Sequence, residues 1–259
     1  MFNKKTIEDI DVKNKKVLVR VDYNVPLDSE LNVADDTRIR LSLPTINYLI
    51  KNNSKIILMS HLGRPKGEAK NKFRLDPAAK MLEKLIGRKV KKFDRIYSVQ
   101  IKEYIDTEMD YGEIVMLENL RFDPGEKTNN NEFSKSLASL ADIYVDDAFG
   151  AAHRVHASVS GVAKYLPAVA GFLMKKEIEI LTSLLESPER PFLTILGGSK
   201  VSDKIKVIRN LLGRVDSLIL GGGMTYTFLK AKGYEVGKSI CEEDQINFAK
   251  EMLVLAKKR

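Results

Sequence analysis

The sequence predicts an α/β protein whose N-terminal part is a doubly wound parallel sheet, joined by a helix to a second α/β unit that is incomplete. Three observations carry this. Short apolar runs without polar alternation, such as Val17, Leu18, Val19 and Val21, mark strands covered on both faces. Segments with helical apolar spacing alternate with these runs, as they do when crossover helices wind a parallel sheet. Beyond Phe192 only two further strands are visible, fewer than a doubly wound sheet holds.

The first strand, Lys16 to Asp22, organises the chain. Its apolar run ends in Asp22 and Asn24, two residues apart and so on the same side of an extended chain, and Pro26 stops further pairing. This has two readings: the ligand-binding edge of an open α/β sheet, or a strand followed by an Asx-type turn. From Thr37 to Asn52, Ile39, Leu43, Ile46, Leu49 and Ile50 recur at helical spacing, with Pro44 bending the helix and Arg38 at its N-terminal end. An anion there would meet both a guanidinium and the helix dipole.

The second strand, Lys55 to Met59, runs into Ser60-His61-Leu62-Gly63-Arg64-Pro65, where Gly63, Pro65 and Gly67 force a loop. His61 with Arg64 at a strand end favours an anion. Asp76-Pro77 opens the next helix, Asp76 as N-cap, and Gly87 closes it. Val90 to Phe93 reads as a short strand, Ser98 to Asp106 as a short helix and Glu113 to Leu117 as a buried strand followed by Arg121. Asp123-Pro124-Gly125 makes a turn, Asn129 to Asn131 a polar loop, and Glu132 to Leu140 a helix. After the strand Asp142 to Val145, the segment Asp146 to Ser158 holds Asp146, Asp147, His153, His156 and Arg154. Its spacing matches no standard zinc pattern, so a packed loop presenting Arg154 to an anion is preferred.

Lys175 to Glu186 is an amphipathic helix with Ile178, Leu181 and Leu185 on one stripe. It reads as a connector between a domain at 1–174 and a partial one at 191–259, the connector covering 175–190. In the second unit the buried strand Phe192 to Leu196 leads into Gly197-Gly198-Ser199-Lys200, then a helix with Asp203 and Lys204. A strand at Ser217 to Leu220 leads into Gly221-Gly222-Gly223 and a helix from Met224 to Lys232. Such turns let backbone N–H groups approach a phosphate, or permit close helix–strand packing. Neither is a Walker A or dinucleotide fingerprint. Lys200 and Lys204, four apart, would share a helix face. The last helix runs from Glu242 to about Lys257.

Composition bounds the function. The chain is 44% apolar and 30% charged, ordinary for a soluble globular protein. The single cysteine, Cys241, excludes an intrachain disulfide and points to a reducing compartment. The N-terminus lacks a signal-peptide core, and the longest apolar stretches are too short to span a bilayer. A cytoplasmic protein without a membrane partner is expected. The net charge of +8 favours anionic partners. The arginines follow separate buried strands rather than one exposed aromatic-rich face, which argues against nucleic acid.

Six motifs, LVRVDYNVPL, SHLGRP, ENLRF, DDAFGAAHRVHAS, GGSKVSDK and GGGMTYTFLKAKGYEVGKS, in this order and spacing, together resemble phosphoglycerate kinase over essentially the whole chain. The resemblance implies a two-domain glycolytic kinase, its second domain Rossmann-like, that transfers a phosphoryl group between 1,3-bisphosphoglycerate and Mg-ADP to give 3-phosphoglycerate and ATP. By its motifs, Asp22, Asn24, Arg38, His61, Arg64, Arg121 and Arg154 would bind phosphoglycerate. Gly197, Gly198, Lys200, Asp203, Lys204, Gly221, Gly222 and Gly223 would meet the nucleotide. Arg38, Lys200 and Lys204 would be catalytic, with domain closure about the connector. Mg2+ would arrive with the nucleotide, its main protein ligand lying in the missing segment, and the complete protein would be a monomer. The sequence departs from the family by ending at Arg259, before the later glycine-rich loop, the carboxylate associated with Mg-nucleotide and the segment returning to the first domain. Two expectations follow: a truncated enzyme chain that is inactive alone, or a nonenzymatic remnant or assembly module that retains only anion binding.

Overall fold

The computed structural model describes residues 4–258. The chain divides into two compact units, Met1–Ile180 and Leu181–Arg259. In the first, the strands are β1 (Lys16–Arg20), β2 (Lys55–Met59), β3 (Val90–Lys92), β4 (Ile114–Met116), β5 (Ile143–Asp146) and β6 (Ala168–Ala170). They form one parallel sheet in the order β3-β4-β2-β1-β5-β6. Its helices are α1 (Thr37–Lys51), α2 (Asp76–Ile86), α3 (Val99–Glu103), α4 (Pro124–Thr128), α5 (Asn131–Ala138) and α6 (Phe149–Ala152). Helix α7 (Phe172–Glu186) runs through the division between the units.

Strand β1 lies inside the sheet, between β2 and β5. Val17 and Val19 enter one core layer with Ile56 and Leu58, beneath Ile39, Ile46 and Leu49 of α1 and Leu82 of α2. Leu18 enters the other with Ile57 and Met59, against Ile101 of α3 and Leu137 of α5. This two-sided burial is why the run is apolar without alternation. The chain leaves β1 towards β2 and leaves β5 towards β6, so the loops after β1 and β5 diverge. The crevice between them is the topological switch point of the sheet.

Three local expectations change. Asp76 is the first helical residue, not the cap: its carboxylate takes Arg74 Nε at 3.2 Å and lies 3.4 Å from Lys92 Nζ. Those cations outbid its own helix for the oxygens. Asp123-Pro124-Gly125 is not a free turn but the start of α4, with Asp123 accepting the Gly125 N–H at 2.7 Å. Strand β6 sits in a run of small residues that carries no strand signal.

In the second unit β7 (Leu193–Gly197) pairs in parallel with β8 (Ser217–Gly221). Helices α8 (Ile205–Leu212), α9 (Met224–Ala231) and α10 (Ile246–Lys257) cover one side around Ile208, Met224, Phe228 and Met252. The other side is open: Ile195 is 70% and Ile219 49% exposed. Strand β7, read from sequence as buried, is covered on one face only, as is β8.

Candidate anion-binding site

The residues that the motifs single out in the first unit gather where β1, β2, β4 and β5 end. Asp22, after β1, accepts a hydrogen bond from Arg38 Nη1 at the start of α1. Asn24 Oδ1 accepts the Gly63 N–H at 2.8 Å, which ties the β1 loop to the β2 loop. Gly63 has φ +62°, and a Cβ there would strike the Phe73 ring. Arg121 follows β4; its Nη1 donates to Gly63 O at 2.6 Å, and its buried Nε has no partner. Arg154, half-buried, and Arg64, exposed, complete the cluster. Among the described residues, Arg64, Arg121 and Arg154 form no ion pair. Burial first, then the charges of Arg154 and Arg20, pull Arg121 down to about 10. A cation so weakened by its surroundings favours a bound anion.

Beneath this edge lies a buried polar layer. Arg20, 1% exposed, donates through Nε to Ser158 Oγ at 3.0 Å and through Nη2 to His61 Nδ1 at 2.9 Å. Ser158 donates to Glu126 Oε1 at 2.8 Å, and Glu126 also takes the Ser158 N–H at 3.0 Å. His156 Nδ1 stands 3.3 Å from the same carboxylate. Burial holds His61 far below the ordinary imidazole range, reinforced by Arg20, Arg121 and Arg154, so the ring is neutral. Asp147 Oδ1 accepts the N–H groups of Leu173 at 2.9 Å and Met174 at 3.3 Å, capping α7 from across the sheet edge. A cavity of about 250 Å³ opens here, lined by Asp22, Arg38, Ser42, Asp147, Gly150 and Glu177 among others. Sequence does not single out Arg20 or Glu126, and weighs Asp147 only as a metal ligand that the spacing disfavours, although an arginine inside an apolar strand is a usable signal.

The glycine turns of the second unit pack on each other. Gly222 has φ +74°, and a Cβ on it would lie 2.7 Å from Gly198 O. Met224 N donates to Gly198 O at 3.0 Å. Gly222→Ala should therefore destabilise the second unit by about 3 kcal/mol through strained φ and a backbone clash, read as a lower melting transition for that unit while the first is unmoved. Between the first glycine turn and α8, two backbone N–H groups already have a partner. The Glu242 carboxylate accepts from Val201 N and from Ser202 N at 3.1 Å. Lys200 precedes the helix in irregular backbone, so it and Lys204 do not share a helix face. Lys204 lies over Gly198, and Lys200 and Asp203 are exposed.

A family model described as phosphoglycerate kinase matches residues 7–259. The chain belongs to the phosphoglycerate kinase family. It is 58% identical over 253 residues to a phosphoglycerate kinase of Moorella thermoacetica, covering 98% of this chain and 64% of that protein. The solved phosphoglycerate kinase of Coxiella burnetii aligns with a TM-score of 0.85 at 40% identity, over 98% of this chain and 64% of that one. That of Pyrococcus horikoshii OT3 aligns at 0.83 and 32%, over 96% and 65%. The chain thus spans just under two thirds of the length of these phosphoglycerate kinases.

Phosphoglycerate kinases normally use a Mg-nucleotide. Among the described residues no group of three or more histidine, cysteine or acidic side chains could hold a metal. Asp203 is exposed and alone on its turn, and Glu242 is committed to Val201 and Ser202. These residues do not supply the oxygen shell Mg2+ requires. His156 faces Glu126 and Asp147 faces α7, so the acids and histidines after β5 do not converge either.

Burial also pushes Asp146 and Asp147 each up to about 6. Between the ordinary value of 3.8 and about 6, the folded chain keeps a proton that the unfolded chain has lost, so stability falls as pH rises through this window. A shift of this size is worth ~3 kcal/mol. Asp147→Asn keeps the acceptor for Leu173 and Met174 and removes the charge. It should raise stability at pH 7.5 by about 1–2 kcal/mol and remove roughly half of the pH 4–6 slope in urea unfolding, Asp146 retaining the rest.

Proposed function

We propose that the chain serves reversible phosphoryl transfer between 1,3-bisphosphoglycerate and Mg-ADP, with 3-phosphoglycerate held at the sheet edge of the first unit and the nucleotide at the glycine turns of the second. The observation that carries this is the set of guanidinium groups without carboxylate partners, Arg64, Arg121 and Arg154, beside Arg38 at the switch point. A small, multiply charged anion supplies the compensation they lack. Asp22 and Asn24 suit the substrate's hydroxyl and fix its orientation.

The accepting carboxylate or nucleotide phosphate is already ionised near neutral pH, so no general base is needed. Transfer asks for alignment and for positive charge where charge spreads over the phosphoryl oxygens. Arg38 and Lys204 would supply that charge, with Lys200 assisting. His61, neutral, would donate a hydrogen bond rather than a charge. We assign the protein to the cytoplasm on the same reading; no helix among the described residues is long and apolar enough to cross a membrane.

Calorimetric titration with 3-phosphoglycerate tests the reading. One molecule should bind per chain, more weakly as salt is raised, and Arg38→Ala should weaken it by at least about tenfold. Absence of binding, or identical binding by Arg38→Ala, would overturn the assignment.

A further inference from the structure

We propose that Arg20 is a positioning residue that holds His61 as the neutral tautomer with its proton on Nε2, so that the site keeps an uncharged donor around neutral pH. The argument is one of donor and acceptor types. Arginine has five N–H donors and no acceptor. Arg20 Nη2 lies 2.9 Å from His61 Nδ1, so Nδ1 must accept and the ring proton must sit on Nε2. Nε2 has no partner among the described residues and is not enclosed, which leaves that N–H for a ligand.

The rest of the chain forces the same polarity. Glu126 is held ionised: burial raises its pKa, but the His156 bond, the Arg20 charge and the Ser158 bonds outweigh it. An ionised carboxylate only accepts, so Ser158 donates its hydroxyl proton to Glu126 and accepts from Arg20 Nε. Glu126, Ser158, Arg20 and His61 therefore form a buried line with one possible direction. Arg20 Nη1 is spent on Val21 O, which fixes the guanidinium plane. The groups facing His61 are Arg20 and Asp22 from the β1 segment, Arg121 from the β4 loop, and Arg154 and His156 from the β5 segment. Asp22 is the one acid among them, with Oδ1 at 3.9 Å from Nδ1. Without Arg20 it is the acceptor that would draw the proton to Nδ1 or allow the ring to charge.

The consequence for phosphoglycerate rests on the proposed function; the tautomer does not. In the ligand-free 259-residue chain, with 15N-labelled histidine, two-dimensional NMR should find the His61 proton on Nε2 and no titration from about pH 5 to about pH 8. Arg20→Met should shift the proton to Nδ1 or let His61 titrate in that window, and 3-phosphoglycerate affinity should then vary with pH beyond the wild-type change. Arg20→Lys, which keeps one donor, should restore the Nε2–H form. A proton on Nδ1 in the wild type, a charged ring, or an unchanged tautomer in Arg20→Met would overturn the proposal. If Arg20→Met does not fold, the wild-type spectrum and Ser158→Ala, which frees Nε of Arg20 and should broaden or mix the tautomer signals, decide it. Failure to bind 3-phosphoglycerate with the tautomer intact would sink the functional reading alone.

Discussion

Arg121→Ala should weaken 3-phosphoglycerate binding by roughly 100-fold, about 3 kcal/mol, while leaving the ligand-free chain within about 1 kcal/mol of its original stability. The two halves of this expectation have one cause. Arg121 is 7% exposed, lacks a carboxylate, and has Nε unpartnered. Burial and the neighbouring Arg154 and Arg20 all oppose its charge. The folded chain gains little from this cation until an anion arrives, and the bond from Nη1 to Gly63 O offsets only part of the desolvation. With the anion bound, the same burial strengthens the charge-assisted contact. Calorimetry and urea unfolding on one variant separate the effects. Arg121→Lys keeps charge without the planar fork and should lie between, about tenfold down. A stability loss as large as the binding loss would recast Arg121 as a structural residue.

The elements that sequence made legible are those whose signal is local. The runs at β1, β2 and β4 are apolar because both faces are covered, and the helices between them keep helical spacing. Once these strands are parallel, every loop that follows one falls at the same edge. That is why Asp22, Arg38, His61 and Arg121 could be placed together without a structure. What escaped was set by contacts distant in sequence. Glu126 lies in a turn-like DPGEK segment and meets Ser158 32 positions on; nothing local marks it as buried. The GGSK turn reads as a phosphate cradle, but the two N–H groups that follow it, on Val201 and Ser202, are taken by Glu242, 40 positions from Ser202. Glycine patterns report close approach of backbone and do not say to what: at Gly222 it is the other turn. Arg20 is the instructive miss. A charged residue at the end of a strand buried on both faces needs a partner, and that requirement could have been stated from sequence even though Glu126 and Ser158 could not have been named.

Glu126→Ala should cost about 3–5 kcal/mol of folding stability, the largest loss we expect from one side chain in the first unit. Glu126 is fully buried and its carboxylate takes two bonds from Ser158 and one from His156. Removing it strands the buried Arg20 cation and the Ser158 N–H in a medium where neither is solvated. Glu126→Gln keeps the shape and an acceptor but not the charge, and should cost about half as much. The pH dependence separates this charge from the aspartates after β5. The Glu126 pKa is lowered from 4.5 in the folded chain, so its contribution is fully present above that value and is lost as pH falls through the folded one. Asp146 and Asp147 act with the opposite sign, their cost growing as pH rises towards about 6. The wild-type first unit should therefore show a neutral limb, where the two aspartates make stability fall as pH rises from the carboxylate range towards about 6, and an acid limb below 4.5, where the Glu126 contribution is lost. In Glu126→Ala the acid limb should flatten while the neutral limb persists. Urea midpoints at pH 3.5, 5 and 7 measure both limbs, and an unchanged acid limb in the variant would show that Glu126 does not carry the charge that Arg20 requires.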